Sequence, residues 1–331
     1  MGDYGDYNDD KNELDQSEEI FDEYHDNTDM VIKGMSNKKI LSYCGLYLSI
    51  MTIAVFATQL IVSFIAGMLF PDGSESGWFN VVLTVVGIVG VGLPVFYKLM
   101  KKIPDSEIGE QKKLSSGKFI GYFIVCVALA YISNIVGLFI SAFIELIKGI
   151  EVINPLEDFL FNSNMVLVMI YAIIIAPIVE ELIFRKILLD KLRRFGDLPA
   201  ILITGFAFGI FHFNLPQFFY ATVLGILFAY ITIRTNRIIY AIVLHMLMNL
   251  MGAGIVPLVT ASQNPLGLGL VTIWFFGTMT IGSILLILNG KKVLLIKPIE
   301  PLVRKRDYIL NPGTLLFLII GISVILFGLI I

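Results

Sequence analysis

Apolar runs of seventeen residues or more recur along this chain, and most contain no charged side chain. A bilayer crossing by a helix takes about 20 such residues. In lipid every backbone polar group must be satisfied within the protein, which leaves helices and closed barrels. The runs are continuous, unlike the alternating segments of about 10 residues that build a membrane barrel. The expected fold is therefore all-α, a polytopic transmembrane helix bundle of about eight or nine spans, with any active site within the bilayer. Candidate spans are 40–70, 79–97, 119–147, 165–187, 198–214, 217–233, 238–256, 268–289 and 313–331. Only 15% of residues are charged and the mean hydropathy is +0.83, against about a quarter charged in soluble domains. That excludes a soluble enzyme, a disordered chain and a nucleic-acid binder. Cys44 and Cys126 both lie in apolar runs, so no disulfide framework is expected.

The charges are unevenly spread. Residues 1–30 hold 12 acids and the single base Lys11, while the rest of the chain is net +8. Residues 1–38 thus read as a disordered acidic tail on a basic membrane body. The tail lacks the basic start of a signal peptide, and Asp6 stands where myristoylation needs Ser or Thr. Bases crowd alternate connections: Lys38 and Lys39 before the first span, Lys98 to Lys118 after the second, Lys186 to Arg194 after the fourth, Arg234 and Arg237 after the sixth, Lys291 to Arg306 after the eighth. The intervening loops 71–78, 148–164 and 257–267 hold only Lys148. Positive-inside reasoning then puts the N-terminus in the cytoplasm of a multi-pass protein. Short loops and the lack of organellar signals suggest a prokaryotic cell membrane.

Polar side chains inside a membrane are costly and therefore site candidates. The fourth span carries Glu180, Glu181 and Arg185 after Pro177; the fifth carries His212; the seventh carries His245 and Asn249. Glu181 and Arg185 are four apart with the acid first, the favourable order for an ion pair. Glu180, turned about 100° away, has no obvious local partner. His245 and Asn249 share a face, as do Phe208 and His212. Gly205 and Gly209 form a small-residue ridge that admits a neighbouring helix. Spans four and five form a hairpin centred on Gly196, which puts Glu180 and His212 at one level if span four continues through Arg194. A carboxylate and an imidazole on one cavity can deprotonate water. A second imidazole and an amide can donate hydrogen bonds to an oxyanion. This equipment suits amide hydrolysis, and no Gly-x-Ser-x-Gly elbow offers a nucleophile instead.

Three segments carry a resemblance. Ala176-Pro177-Ile178-Val179-Glu180-Glu181-Leu182-Ile183-Phe184-Arg185 resembles the EExxxR motif of the CPBP family, the CAAX protease and bacteriocin-processing (Abi) membrane proteins. Phe208-Gly209-Ile210-Phe211-His212 resembles its FxxxH motif, and His245-Met246-Leu247-Met248-Asn249 its HxxxN motif. Lys186 departs from the small residue usual after the motif arginine. The resemblance covers residues 165–256, a catalytic helix core between N-terminal helices (39–164) and C-terminal helices (257–331).

The family includes the type II CAAX prenyl endopeptidases. The resemblance implies that Glu180 and His212 activate water while His245 and Asn249 hold the oxyanion. Glu181, Arg185 and Phe208 would support them. The implied substrate is a membrane-anchored protein or peptide in the lipid bilayer, with no nucleic acid and no cofactor. Zinc at Glu180, His212 and His245 is the rival, since His₂Glu is a catalytic zinc set. No HExxH stands behind it, and the resemblance favours metal-free glutamate chemistry. Two other functions fit an intact cavity. One is a non-catalytic scaffold or bacteriocin self-immunity factor. The other is a proton-coupled transporter, although no broken helices recur in two halves.

Overall fold

A computed structural model describes residues 35–329 apart from 75, 107, 150, 151, 153–164, 294 and 297–301. The acidic tail up to residue 34, with Lys33 and His25, lies outside the described residues, as do Lys297 and most of the 148–164 loop. Among the described residues, nine main helices follow in chain order: α1 Asn37–Leu69, α2 Gly77–Met100, α3 Ser116–Lys148, α4 Val166–Phe195, α5 Asp197–Ile210, α6 Leu215–Thr235, α7 Ile239–Ser262, α8 Pro265–Gly290 and α9 Pro312–Gly328. Among the described residues there is no strand. Polar caps mark the starts. The side chains of Ser36, Ser115, Asn214, Asn264 and Asn311 accept backbone N–H groups of the first turns of α1, α3, α6, α8 and α9.

Seven of these helices are long and apolar enough to cross a membrane. Against the expected eight or nine spans, α5, with 14 residues, and α9, with 17, are the two shorter apolar helices. At 1.5 Å per residue α5 reaches only about 21 Å, short of a hydrocarbon core of about 30 Å. Its apolar run is cut at Ile210. Phe213 turns to a φ of +53°, and Asn214 already caps α6. His212 therefore sits in the turn after α5, not within a helix.

Long runs of α-helix are interrupted by wider π turns, and three of the four have a visible cause. The π segments Val86–Gly92, Tyr171–Ile175 and Leu250–Ile255 end two residues before Pro94, Pro177 and Pro257. A proline ring collides with the carbonyl four residues back and offers no N–H to it. The wider turn relieves both problems. The fourth segment, Leu182–Leu188, contains Arg185 and no proline.

α6 is the central helix. α5 packs along it through backbone contact: a Cβ on Gly205 would lie 2.7 Å from the Ile226 nitrogen, and one on Gly225 would lie 3.0 Å from Gly205 Cα. α3 and α7 join its other side through Cys126, Phe228, Ile231, Ala241 and Leu244. α8 rests on α3, where a Cβ on Gly282 would meet the Ile124 carbonyl at 2.7 Å. α9 runs against α1, and Gly313 N–H donates to Ser42 Oγ at 3.1 Å. Outward faces such as Leu60 and Phe64 of α1, Phe139 and Leu146 of α3, and Ile273 and Ile287 of α8 are exposed and apolar, as lipid contact requires.

The basic connections gather at one end. Lys191 Nζ donates to the Ile103 carbonyl and pairs with Asp105 at 2.5 Å. Arg194 Nη2 donates to the Pro104 carbonyl at 2.6 Å, and Arg193 pairs with Asp190 at 3.3 Å. Lys112 N–H donates to the Thr235 carbonyl, Arg234 pairs with Asp197, and Lys38 pairs with Asp307 at 3.0 Å. The Lys38 ammonium holds the Asp307 carboxyl below the usual carboxylate range.

Candidate active site

The hairpin of α4 and α5 turns at Gly196, with φ +92° and ψ 163°, a conformation that strongly favours glycine. α4 does continue to Phe195, the condition for Glu180 and His212 to share a level. Glu181 and Arg185 are both fully buried, and Arg185 Nε lies 3.0 Å from Glu181 Oε2. The contact is an ion pair rather than an aligned hydrogen bond, since neither atom has a hydrogen-bond partner among the described residues. Arg185 Nη2 donates to the Gly225 carbonyl of α6 at 3.2 Å. Its guanidinium lies over the Phe208 ring at 4.4 Å and near Phe228 at 5.6 Å. Charge and aromatic faces thus compensate a cation that hydrocarbon alone would not tolerate.

Glu181 has a second partner that no spacing within one helix predicts. His245 Nδ1 donates to Glu181 Oε1 at 2.9 Å, across 64 residues of chain. One carboxylate therefore serves Arg185 with one oxygen and His245 with the other. The opposite imidazole nitrogen, Nε2, faces Glu180 Oε2 at 3.8 Å. That oxygen is buried and has no hydrogen-bond partner among the described residues. Phe208 and Phe228 flank the His245 ring, with centroids at 5.6 and 5.4 Å.

His212 Nδ1 donates to the Phe208 carbonyl at 2.8 Å. In the neutral imidazole this leaves a bare lone pair on Nε2. The ring stands edge-on to Phe208 at 4.9 Å and lies within electrostatic reach of Glu180, His245 and Arg185. Asn249 Nδ2 donates to the Ala172 carbonyl at 2.7 Å and keeps a second amide hydrogen. The fold thus brings Glu180, Glu181 and Arg185 of α4 to His245 of α7, with Phe208 of α5 in contact with Arg185, His212 and His245. Sequence reasoning missed Phe228 and Gly225 of α6, which wall the site and bind Arg185. Their only signal was a bare glycine and a large ring on a helix facing the motifs.

Chemically, the cluster offers a carboxylate oxygen with unused accepting capacity, an imidazole nitrogen able to accept a proton, and an imidazole fixed by a second carboxylate. Donation from His245 at both nitrogens requires the imidazolium form. Among the described residues no group of three or more His, Cys, Asp or Glu side chains is arranged to hold a metal ion.

Fold and cluster together define a polytopic helical membrane protein with buried Glu and His side chains suited to catalysis. Residues 162–251 match the family described as type II CAAX prenyl endopeptidase Rce1-like. The matched segment contains the Glu180-Glu181, Phe208-to-His212 and His245-to-Asn249 motifs. The chain is also similar to "Putative membrane peptidase YdiL" of Bacillus subtilis (strain 168), 32% identical over 173 residues. The match spans 47% of this chain and 64% of that protein, less than two thirds of the relative's length. No solved structure matches.

Proposed function

We propose that this protein is an intramembrane endopeptidase that hydrolyses a peptide bond in a membrane-anchored protein or peptide. The observation that carries the reading is the buried Glu180 Oε2, without a hydrogen-bond partner among the described residues and 3.8 Å from His245 Nε2. Water held between Glu180 and His212 Nε2 attacks the carbonyl carbon as Glu180 takes its proton. The oxyanion forms against His245 Nε2–H and the spare Asn249 amide hydrogen. The C–N bond then breaks, and the proton passes from Glu180 to the leaving amine. Glu181 acts as a positioning residue, holding His245 by its Nδ1–H, the role a carboxylate plays in other imidazole sites. The family match over residues 162–251 supports the same chemistry.

Purified protein in detergent, challenged with a peptide library, tests the proposal. Glu180→Gln keeps the shape and removes the base, so cleavage falls by about 10² or more. His212→Ala behaves alike. Normal cleavage by folded Glu180→Gln would sink the glutamate mechanism.

A further inference from the structure

A second hollow lies on the face of α5 away from the site. Leu198, Leu202 and Phe206 follow one another at four-residue spacing on that face and are about half exposed. Phe208 is turned about 200° from Phe206, so the groove and the candidate active site use opposite sides of one helix. The groove has a volume of about 1190 Å³ and is closed by Leu48 of α1 and Phe317 of α9. That is larger than the ~300–1,000 Å³ of common small-ligand pockets. From Leu198 to Phe206 it extends about 12 Å at 1.5 Å per residue, close to one leaflet of a hydrocarbon core about 30 Å thick.

Apart from the Thr222 hydroxyl, its walls are apolar except at the end where the basic connections gather. There Arg304 and Lys305 line it, both exposed. Neither has a carboxylate within ion-pair distance among the described residues, whereas nearby Lys38, Lys191, Arg193 and Arg234 are each paired. A smaller hollow of about 430 Å³ adjoins this end, lined by Lys38, Arg304 and Asp307. Apolar depth, cations at the mouth with no carboxylate partner among the described residues, and headgroup-sized space beside them describe an amphiphile with an anionic head.

We propose that this groove binds one anionic glycerophospholipid from the leaflet at the basic end. Its phosphate sits against Arg304 and Lys305, and an acyl chain lies along α5. A neutral lipid anchor would leave both cations unanswered, which is why charge complementarity favours the phospholipid.

The full chain in neutral detergent, titrated with phosphatidylglycerol or phosphatidylcholine of equal chain length and read by native mass spectrometry, tests this. Phosphatidylglycerol binds in preference, one per protein. Arg304→Gln with Lys305→Gln weakens it by roughly tenfold or more, the loss expected for two basic side chains facing an anionic lipid, and leaves phosphatidylcholine unchanged. Leu202→Trp, which fills the groove, abolishes the tight binding; should that variant fail to fold, the surface charge variant decides alone. Equal binding of both lipids, or indifference to the charge variant, overturns the proposal. Displacement by an uncharged prenyl-cysteine ester would overturn it too, by giving the groove to a lipid anchor. Mass reports binding without any cleavage, so the outcome is independent of the endopeptidase reading.

Discussion

Glu181 is the residue whose two roles can be separated by experiment. Glu181→Gln leaves Arg185 buried beside a neutral amide, and breaking a buried pair costs about 3–5 kcal/mol. Loss of expression is expected first. The double change Glu181→Gln with Arg185→Leu removes the orphaned charge, so expression and thermal stability recover. Activity stays low, because His245 Nδ1 has lost the carboxylate it donates to. A double variant no better made than the single would refute the ion pair; a double variant with full activity would refute the positioning role. The Glu181–Arg185 contact was legible because it is local, four residues apart on one helix. The His245 contact was not, since residues 64 apart can be paired only once the packing of α4 against α7 is known.

At the scale of elements, the α5–α6 contact is the tightest test of the fold around the site. A Cβ on Gly209 would run into Thr222 Oγ1 and the Phe218 carbonyl, so backbone as well as side chain must move. Gly209→Val should cost about 1–3 kcal/mol and shift α5, with Phe208 and His212 carried along. Thermal unfolding in detergent and cleavage rate should fall together. Gly277→Ala, on α8 where a Cβ meets nothing within 4 Å, serves as the control and should leave both unchanged. The small-residue ridge at Gly205 and Gly209 was readable from spacing, as were most helix positions from the apolar runs. The length of α5 was not, because hydropathy does not register the turn at Phe213. The π turns had a signal in Pro94, Pro177 and Pro257, each a residue that an unbroken α-helix resists.

For the whole molecule, the side on which the basic end lies decides where substrate enters. Positive-inside counting predicts that it faces the cytoplasm. Lys102 is exposed at that end and Ala261 at the other. Single cysteines there, in a background lacking Cys44 and Cys126, can be probed with an impermeant thiol reagent on intact cells. Ala261→Cys should label and Lys102→Cys should stay protected until lysis; the reverse inverts the topology. The clustering of bases at one end was legible from loop counts, whereas the groove beside α5 depends on three helices far apart in sequence. Ser42 of α1 and Gly313 of α9 touch across 271 residues of chain. At about 5–20 residues per second that separation is made in roughly 15–55 s. During that interval α1 stands without its neighbour, which a 33-residue apolar helix can do because it satisfies its own backbone. The 17-residue α9 is made after α1 and meets a helix already synthesised.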